Sequence, residues 1–265
     1  VHRRTWLALA AWGIAPAWVA AQPAGPARAP ARDAVGASQR VGQLMVLSQR
    51  VGKVHALDGL GIERDDARRI RVESLDLAAR LVGELSSAPA VPEAAKPAVQ
   101  ALGPAWQRAR DLLATAPTPA SLDRLLVLDN QLLGIANEAS THLLRLNLPD
   151  VTAVDSTARM AMLSQRIAKF HFAALWGVAP KLAASQIARA RQDFLGLQKG
   201  LQSAARGPGQ QEALAALQSQ WVFFEAALEN ASLGAEAGLH VRLARASEAI
   251  LRAFDELGTR LVRSA

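Results

Sequence analysis

Ser38–Gly59, SQRVGQLMVLSQRVGKVHALDG, and Val154–Leu175, VDSTARMAMLSQRIAKFHFAAL, are two versions of one segment. The tetrapeptide LSQR stands at Leu47–Arg50 and again at Leu163–Arg166, 116 positions on. Around it Val51 matches Ile167, Gly52 Ala168, Lys53 Lys169 and His55 His171. The echo returns downstream, where Ala101-Leu102 with Trp106 matches Ala216-Leu217 with Trp221 at a spacing of 115. Two matches in the same order at nearly the same spacing read as an internal duplication.

Both copies carry the helical period. Met160, Leu163, Ile167, Phe170 and Ala174 step by three and four, as do Leu44, Leu47, Val51 and Val54. Leu125, Leu128, Leu132 and Ile135 form a third apolar stripe, and Ile187, Phe194, Leu197 and Leu201 a fourth. Pro and Gly punctuation then divides each half into four segments. In the first half these are Val35–Asp58, Ile62–Ser87, Glu93–Thr115 and Leu122–Asn147; in the second, Val151–Leu175, Lys181–Arg206, Gln210–Ala231 and Ala235–Val262. Ser121 and Asp150 read as helix N-caps. Short connections make sequential helices antiparallel. The expected fold is all-α: two tandem antiparallel four-helix bundles, one over residues 35–149 and one over 150–265.

Composition agrees. The chain of 265 residues is 51% hydrophobic and only 5% aromatic, rich in Ala and Leu, with no Cys and no Tyr. Absence of cysteine excludes disulfides, thiolate metal sites and cysteine nucleophiles. No Ser–His–acid pattern, glycine-rich phosphate loop, HExxH or clustered carboxylate pair stands out, so the expectation is a non-enzyme without a cofactor. Lys and Arg are interspersed with Asp and Glu, which argues against nucleic acid as a partner.

Residues 1–21, VHRRTWLALAAWGIAPAWVAA, have the layout of a secretory signal: Arg3 and Arg4, an apolar run, and small residues before Gln22. Cleavage near Ala21 and a periplasmic product are expected. Twin-arginine export and retention as an uncleaved anchor stay open as alternatives. Residues 22–34 read as a flexible leader. Without the first 21 residues, 28 Lys and Arg stand against 23 Asp and Glu.

The segment Arg159-Met-Ala-Met-Leu-Ser-Gln-Arg-Ile-Ala-Lys169 resembles the first helix of the PilJ/NarX-type N-terminal sensor domain, and Gln43–Lys53 is a weaker copy of it. Members of that family are extracytoplasmic four-helix bundles of nitrate/nitrite sensor kinases or of pilus-associated chemotaxis transducers. They work as dimers whose helices shift on ligand binding. The resemblance implies a nitrate- or nitrite-like anion as ligand. It also implies helix pairing that a duplicated chain would make internally, as a pseudo-dimer, or between two copies, as a homodimer. This sequence departs from the family where the nitrate-binding members carry an arginine before the motif methionine; Ala161 and Met45 stand there. No transmembrane or signalling segment follows the bundles, so the expectation is a sensor-like protein without its own output.

Arg159, Met162, Arg166 and Lys169 fall on one side of their helix, as do Gln43, Val46, Arg50 and Lys53. The two strips, with Ser48, Gln49, Ser164 and Gln165 adding hydrogen bonds, are the candidate ligand site, its paired arginines gripping a planar anion. The competing reading pairs Arg50 and Arg166 with carboxylates such as Glu73, Glu138 or Glu248. The alternative to a ligand-binding role is an interaction module docking on a membrane-bound receptor or a pilus or chemotaxis component. His55 and His171 read as helix-surface residues rather than metal ligands, and Trp106 and Trp221 as core anchors.

Overall fold

Prolines set the starts of the helices. Pro119, Pro149, Pro180 and Pro208 each open one, where a missing N–H costs nothing and a fixed φ is already helical. The computed structural model describes residues 28–204, 207–234 and 236–264; the stretch 1–21 that reads as a secretory signal, and residues 22–27, lie outside them. Among the described residues the secondary structure is eight long helices and no strand. They are α1 (Arg28–Leu60), α2 (Arg64–Ser87), α3 (Lys96–Leu113, entered by a 3-10 turn at Glu93–Ala95), α4 (Pro119–Leu144), α5 (Pro149–Leu175), α6 (Pro180–Ala204), α7 (Pro208–Leu233) and α8 (Ala237–Ser264). The fold is all-α and built of antiparallel helical bundles.

Three local expectations change. Helix α1 starts at Arg28, inside the stretch read as a flexible leader, because Ala34, Val35 and Ala37 are buried and extend its packed face. Pro30 sits in the first turn, where it breaks no helical hydrogen bond. The cap of α4 is Thr118 rather than Ser121: the Thr118 side chain accepts from the Ser121 N–H at 3.0 Å, and Ser121 Oγ accepts from the Thr118 N–H at 2.9 Å. This reciprocal box satisfies two of the free amides. The cap of α5 is Leu148, with Asp150 in the first turn, where its charge favours the helix dipole.

The duplication is visible in backbone geometry. Gly61 (φ 74°) and Glu63 (φ 46°) follow α1; Gly177 (φ 78°) and Ala179 (φ 45°) follow α5, each 116 positions on. Both helices end with the same back-bonding, Ile62 N–H to Leu57 O at 2.9 Å and Val178 N–H to Ala173 O at 2.8 Å. Glycine fits the left-handed position that this C-terminal motif requires.

Helices α1 to α4 close a ring of neighbours; in the second half α5 packs on α6 and α8, and α7 on α8. The most extensive helix–helix contact joins the halves through α1 and α5. A Cβ placed on Gly42 would lie 2.3 Å from the Ala158 Cβ, one on Gly52 2.8 Å from the Lys169 stem, and one on Gly59 1.9 Å from the Trp176 ring. These pairs are 116 or 117 positions apart, so α1 and α5 run parallel and in register. Each is covered on almost every side, the condition of a helix at the centre of its fold. Trp106 and Trp221 are buried, the latter stacked on Phe194 at 3.6 Å between ring centroids.

Candidate functional site

Along the α1–α5 seam the duplicated motif builds two buried charge clusters that mirror each other. Lys53, 1% exposed, donates to Gln165 Oε1 at 2.7 Å, to Ser247 Oγ at 2.9 Å and to the Glu248 carboxylate. Lys169, 0% exposed, donates to Gln49 Oε1 at 2.7 Å and to Asp129 Oδ2 at 2.6 Å. Each lysine therefore takes an amide from the opposite central helix and a carboxylate from the fourth helix of the opposite half. Asp129 on α4 and Glu248 on α8 are 119 positions apart, as are Ser121 and His240, which meet His55 and His171. These two pairs relate α4 to α8 at that second spacing.

Desolvation dominates the electrostatics. Burial pushes the Lys169 ammonium down to about 8, against the raising pull of Asp129, and pushes the Asp129 carboxyl up. Burial lowers Lys53 as well. Glu248 goes the other way: burial alone would raise it, but Lys53 and Arg50 together hold it down to about 2. Asp129 Oδ1 has no hydrogen-bond partner among the described residues.

The two arginines of LSQR do not converge. Arg50 turns toward α8, where its guanidinium forms an ion pair with Glu248. Arg166 turns toward α4 and α6. It donates to Gln186 Oε1 at 2.7 and 3.2 Å, to Gln49 Oε1 at 3.3 Å and to Asn130 Oδ1 at 3.4 Å. A two-fold relation between parallel helices brings together only residues on the axis, such as Gly42 and Ala158; residues off it go to opposite flanks. The expected shared grip of Arg50 and Arg166 is corrected on that ground. Arg159 belongs to a third place, donating to Asp155 Oδ2 at 2.6 Å and Asn137 Oδ1 at 2.9 Å. Ser48 and Ser164 are spent inside their own helices, donating to Met45 O and Ala161 O at 2.7 Å. Gln165 donates to Ser247 O at 2.8 Å.

Arg166 differs from Arg50 in one respect that matters for chemistry. Among the described residues no carboxylate lies within ion-pair distance of Arg166, and its direct partners are neutral amide oxygens. Its guanidinium also lies over the Phe170 ring at 5.2 Å. Burial lowers Arg166, with Asp129 opposing. It stays a cation at any working pH.

On the flank of Arg50 lies a groove of about 550 Å³ between α1, α2 and α8. Val54, Leu57, Ile70 and Leu251 give it an apolar lining, and charged side chains of both signs surround them.

The histidines are buried, not on the helix surface as expected. His55 Nε2 lies 2.7 Å from Ser121 Oγ, and His171 Nε2 lies 3.4 Å from His240 Nδ1. Burial lowers both His55 and His171 to about 4. Among the described residues no group of three His, Asp or Glu could hold a metal ion, and no helix is long and apolar enough to cross a membrane.

Besides Asn130 and Gln186 at Arg166, sequence reasoning missed Asp129. Its signal is a carboxylate inside the run Leu125-Leu-Val-Leu-Asp-Asn-Gln-Leu-Leu133, on a face that is otherwise apolar. No protein-family model, no curated protein and no solved structure matches this chain.

Proposed function

We propose that the chain is an exported, sensor-like ligand-binding protein of the PilJ/NarX type that takes a small planar oxyanion, nitrate- or nitrite-like, at Arg166. The observation that carries this reading is a half-buried guanidinium whose direct partners are amide oxygens and not carboxylates. An oxyanion arriving there meets a cation that no carboxylate has to vacate, and the amides of Asn130 and Gln186 have N–H groups to offer it. At Arg50 the same anion would have to displace Glu248. The parallel pairing of the two LSQR helices supports the sensor reading too, since one chain then makes the contact that the family makes between two.

Nitrate and nitrite should raise the melting temperature saturably, and chloride should not. At a hundredfold excess over Kd the gain is about 2.7 kcal/mol, a rise of several degrees. Arg166→Ala should lose the response and Arg50→Ala keep it. A flat response to a panel of oxyanions would sink the proposal.

The second reading, an interaction module for a membrane-bound receptor or a pilus or chemotaxis component, is favoured by one observation. Helix α7 leaves Val222, Phe223 and Leu233 exposed, Leu233 by 89%. Patches of this kind mark contact surfaces when they are contiguous. It requires a reproducible partner in pull-downs from a periplasmic extract without added anion, lost in Phe223→Ser.

A further inference from the structure

We propose that the corner where α1 hands over to α2 binds a terminal phosphate group, a dianion with three free oxygens, through Arg64, Arg68 and Arg71. All three guanidiniums lie within 3.8 Å of one carboxylate, that of Asp58 at the end of α1, whose side chain is 2% exposed. Arg68 Nε donates to Asp58 Oδ1 at 3.0 Å and Arg71 Nη1 to Oδ2 at 3.0 Å, while Arg64 Nε stands off at 3.8 Å. Stepping by four and three, the arginines share one face of α2. Three cations against one anion leave two charges over. The other acids nearby do not match them. Asp66 and Glu73 pair with Arg69, and Glu63 pairs with Arg245. Among the described residues Asp65, in the first turn of α2, lies within ion-pair distance of none of the three.

Hydrogen-bond donors are in surplus as well as charge. A guanidinium carries five N–H groups, and among the described residues these three arginines make only the two hydrogen bonds to Asp58. The side chains of Arg64 and Arg68 are 54% and 53% exposed, so an arriving anion reaches unused N–H groups without displacing Asp58. The buried carboxylate is a template. It gathers cations that repel one another into one place, so part of the ordering cost is met before a ligand arrives. A terminal phosphate offers one oxygen to each guanidinium and about 1.5–2 negative charges at neutral pH, close to the number left unmatched. A planar monoanion would leave one charge over. The duplicated half is an internal control on what the fold needs. At the spacing of 116, Asp58, Arg64, Arg68 and Arg71 correspond to Ala174, Pro180, Ala184 and Ile187, so packing demands none of the four charges.

The test is calorimetric titration of the full chain with glycerol 3-phosphate, inorganic phosphate and dimethyl phosphate. The first two should bind saturably, and whichever binds more tightly identifies the source of the group, ester or free ion. Dimethyl phosphate, with one charge and two terminal oxygens, should bind about tenfold more weakly or worse. Arg64→Ala and Arg68→Ala, made at exposed side chains, should each weaken both dianions about tenfold while keeping the helical circular dichroism. Arg69→Ala removes the same charge from the same helix, but from a group already matched by Asp66 and Glu73, and should cost about twofold at most. Arg166→Ala should leave phosphate binding unchanged, which separates this corner from the oxyanion site. Absence of saturable binding by both dianions, equal binding of dimethyl phosphate, or a loss in Arg69→Ala as large as in Arg68→Ala would overturn it.

Discussion

At the scale of single residues, two lysines without access to water govern how the halves meet. Removing one partner from a buried ion pair costs about 3–5 kcal/mol, because a charge is left without compensation. A slip of α1 against α5 by one turn would strip Lys53 of Gln165 and Lys169 of Gln49, so the clusters fix register as well as proximity. Acid reports on the buried groups around them. His55 and His171 have folded values near 4, below the ordinary 6.5, so between those pH values the unfolded chain binds more protons than the folded one. Stability is then complete above about pH 6.5 and falls as pH drops toward 4, each histidine contributing a slope of up to about 1.4 kcal/mol per pH unit. Glu248, held at about 2, extends the loss from about pH 4.5 downward. Urea titrations at half-unit pH steps should show this decline, and His55→Gln, which keeps a partner for Ser121 but cannot titrate, should make it shallower. An unchanged slope in that variant would count against the assignment. Which residues join the seam was partly legible: Lys53 and Lys169 are marked by recurrence. The divergence of the arginines was not, because a helical wheel places residues around one axis and says nothing of the two-fold axis between two.

At the scale of elements, helix ends were the most legible feature. Proline at N1 and glycine at a left-handed C-terminal position are backbone constraints that a sequence displays directly. The caps of α4 and α5 were misplaced by a few positions, since Ser and Asp are as serviceable inside the first turn as before it. Legibility failed for burial on α1 and α5. A single apolar stripe suggests a helix with one wet face. Here buried Ser48 and Gln49 find partners within the helix or across the seam, and buried His55 meets Ser121 on α4, so polar residues lie inside. Small residues make that closeness feasible. Gly42→Ala should separate α1 from α5 and lower stability by about 1–3 kcal/mol, because a Cβ there meets the Ala158 Cβ at 2.3 Å. Gly134→Ala on α4, with nothing within 4 Å of the added atom, should instead gain about 0.5–1 kcal/mol from helix propensity. Guanidinium unfolding of the two variants checks both signs.

At the scale of the whole molecule, the pairing of α1 with α5 stands in for a subunit interface. Residues 28–147 expressed alone would leave the α5-facing side of α1 uncovered. They should form a parallel dimer, Lys53 of one copy meeting Asp129 of the other, as Lys169 does in the intact chain. Sedimentation equilibrium should give twice the monomer mass; a well-folded monomer would contradict this account of the seam. The connection from α4 to α5 is only a few residues long, Arg145 to Leu148. Such a tether makes the union of the halves independent of dilution. It also means that a substitution in one half is no longer copied into the other, as it must be when two identical subunits come from one gene. Asymmetry becomes heritable, and two positions that began as equivalent are free to specialise.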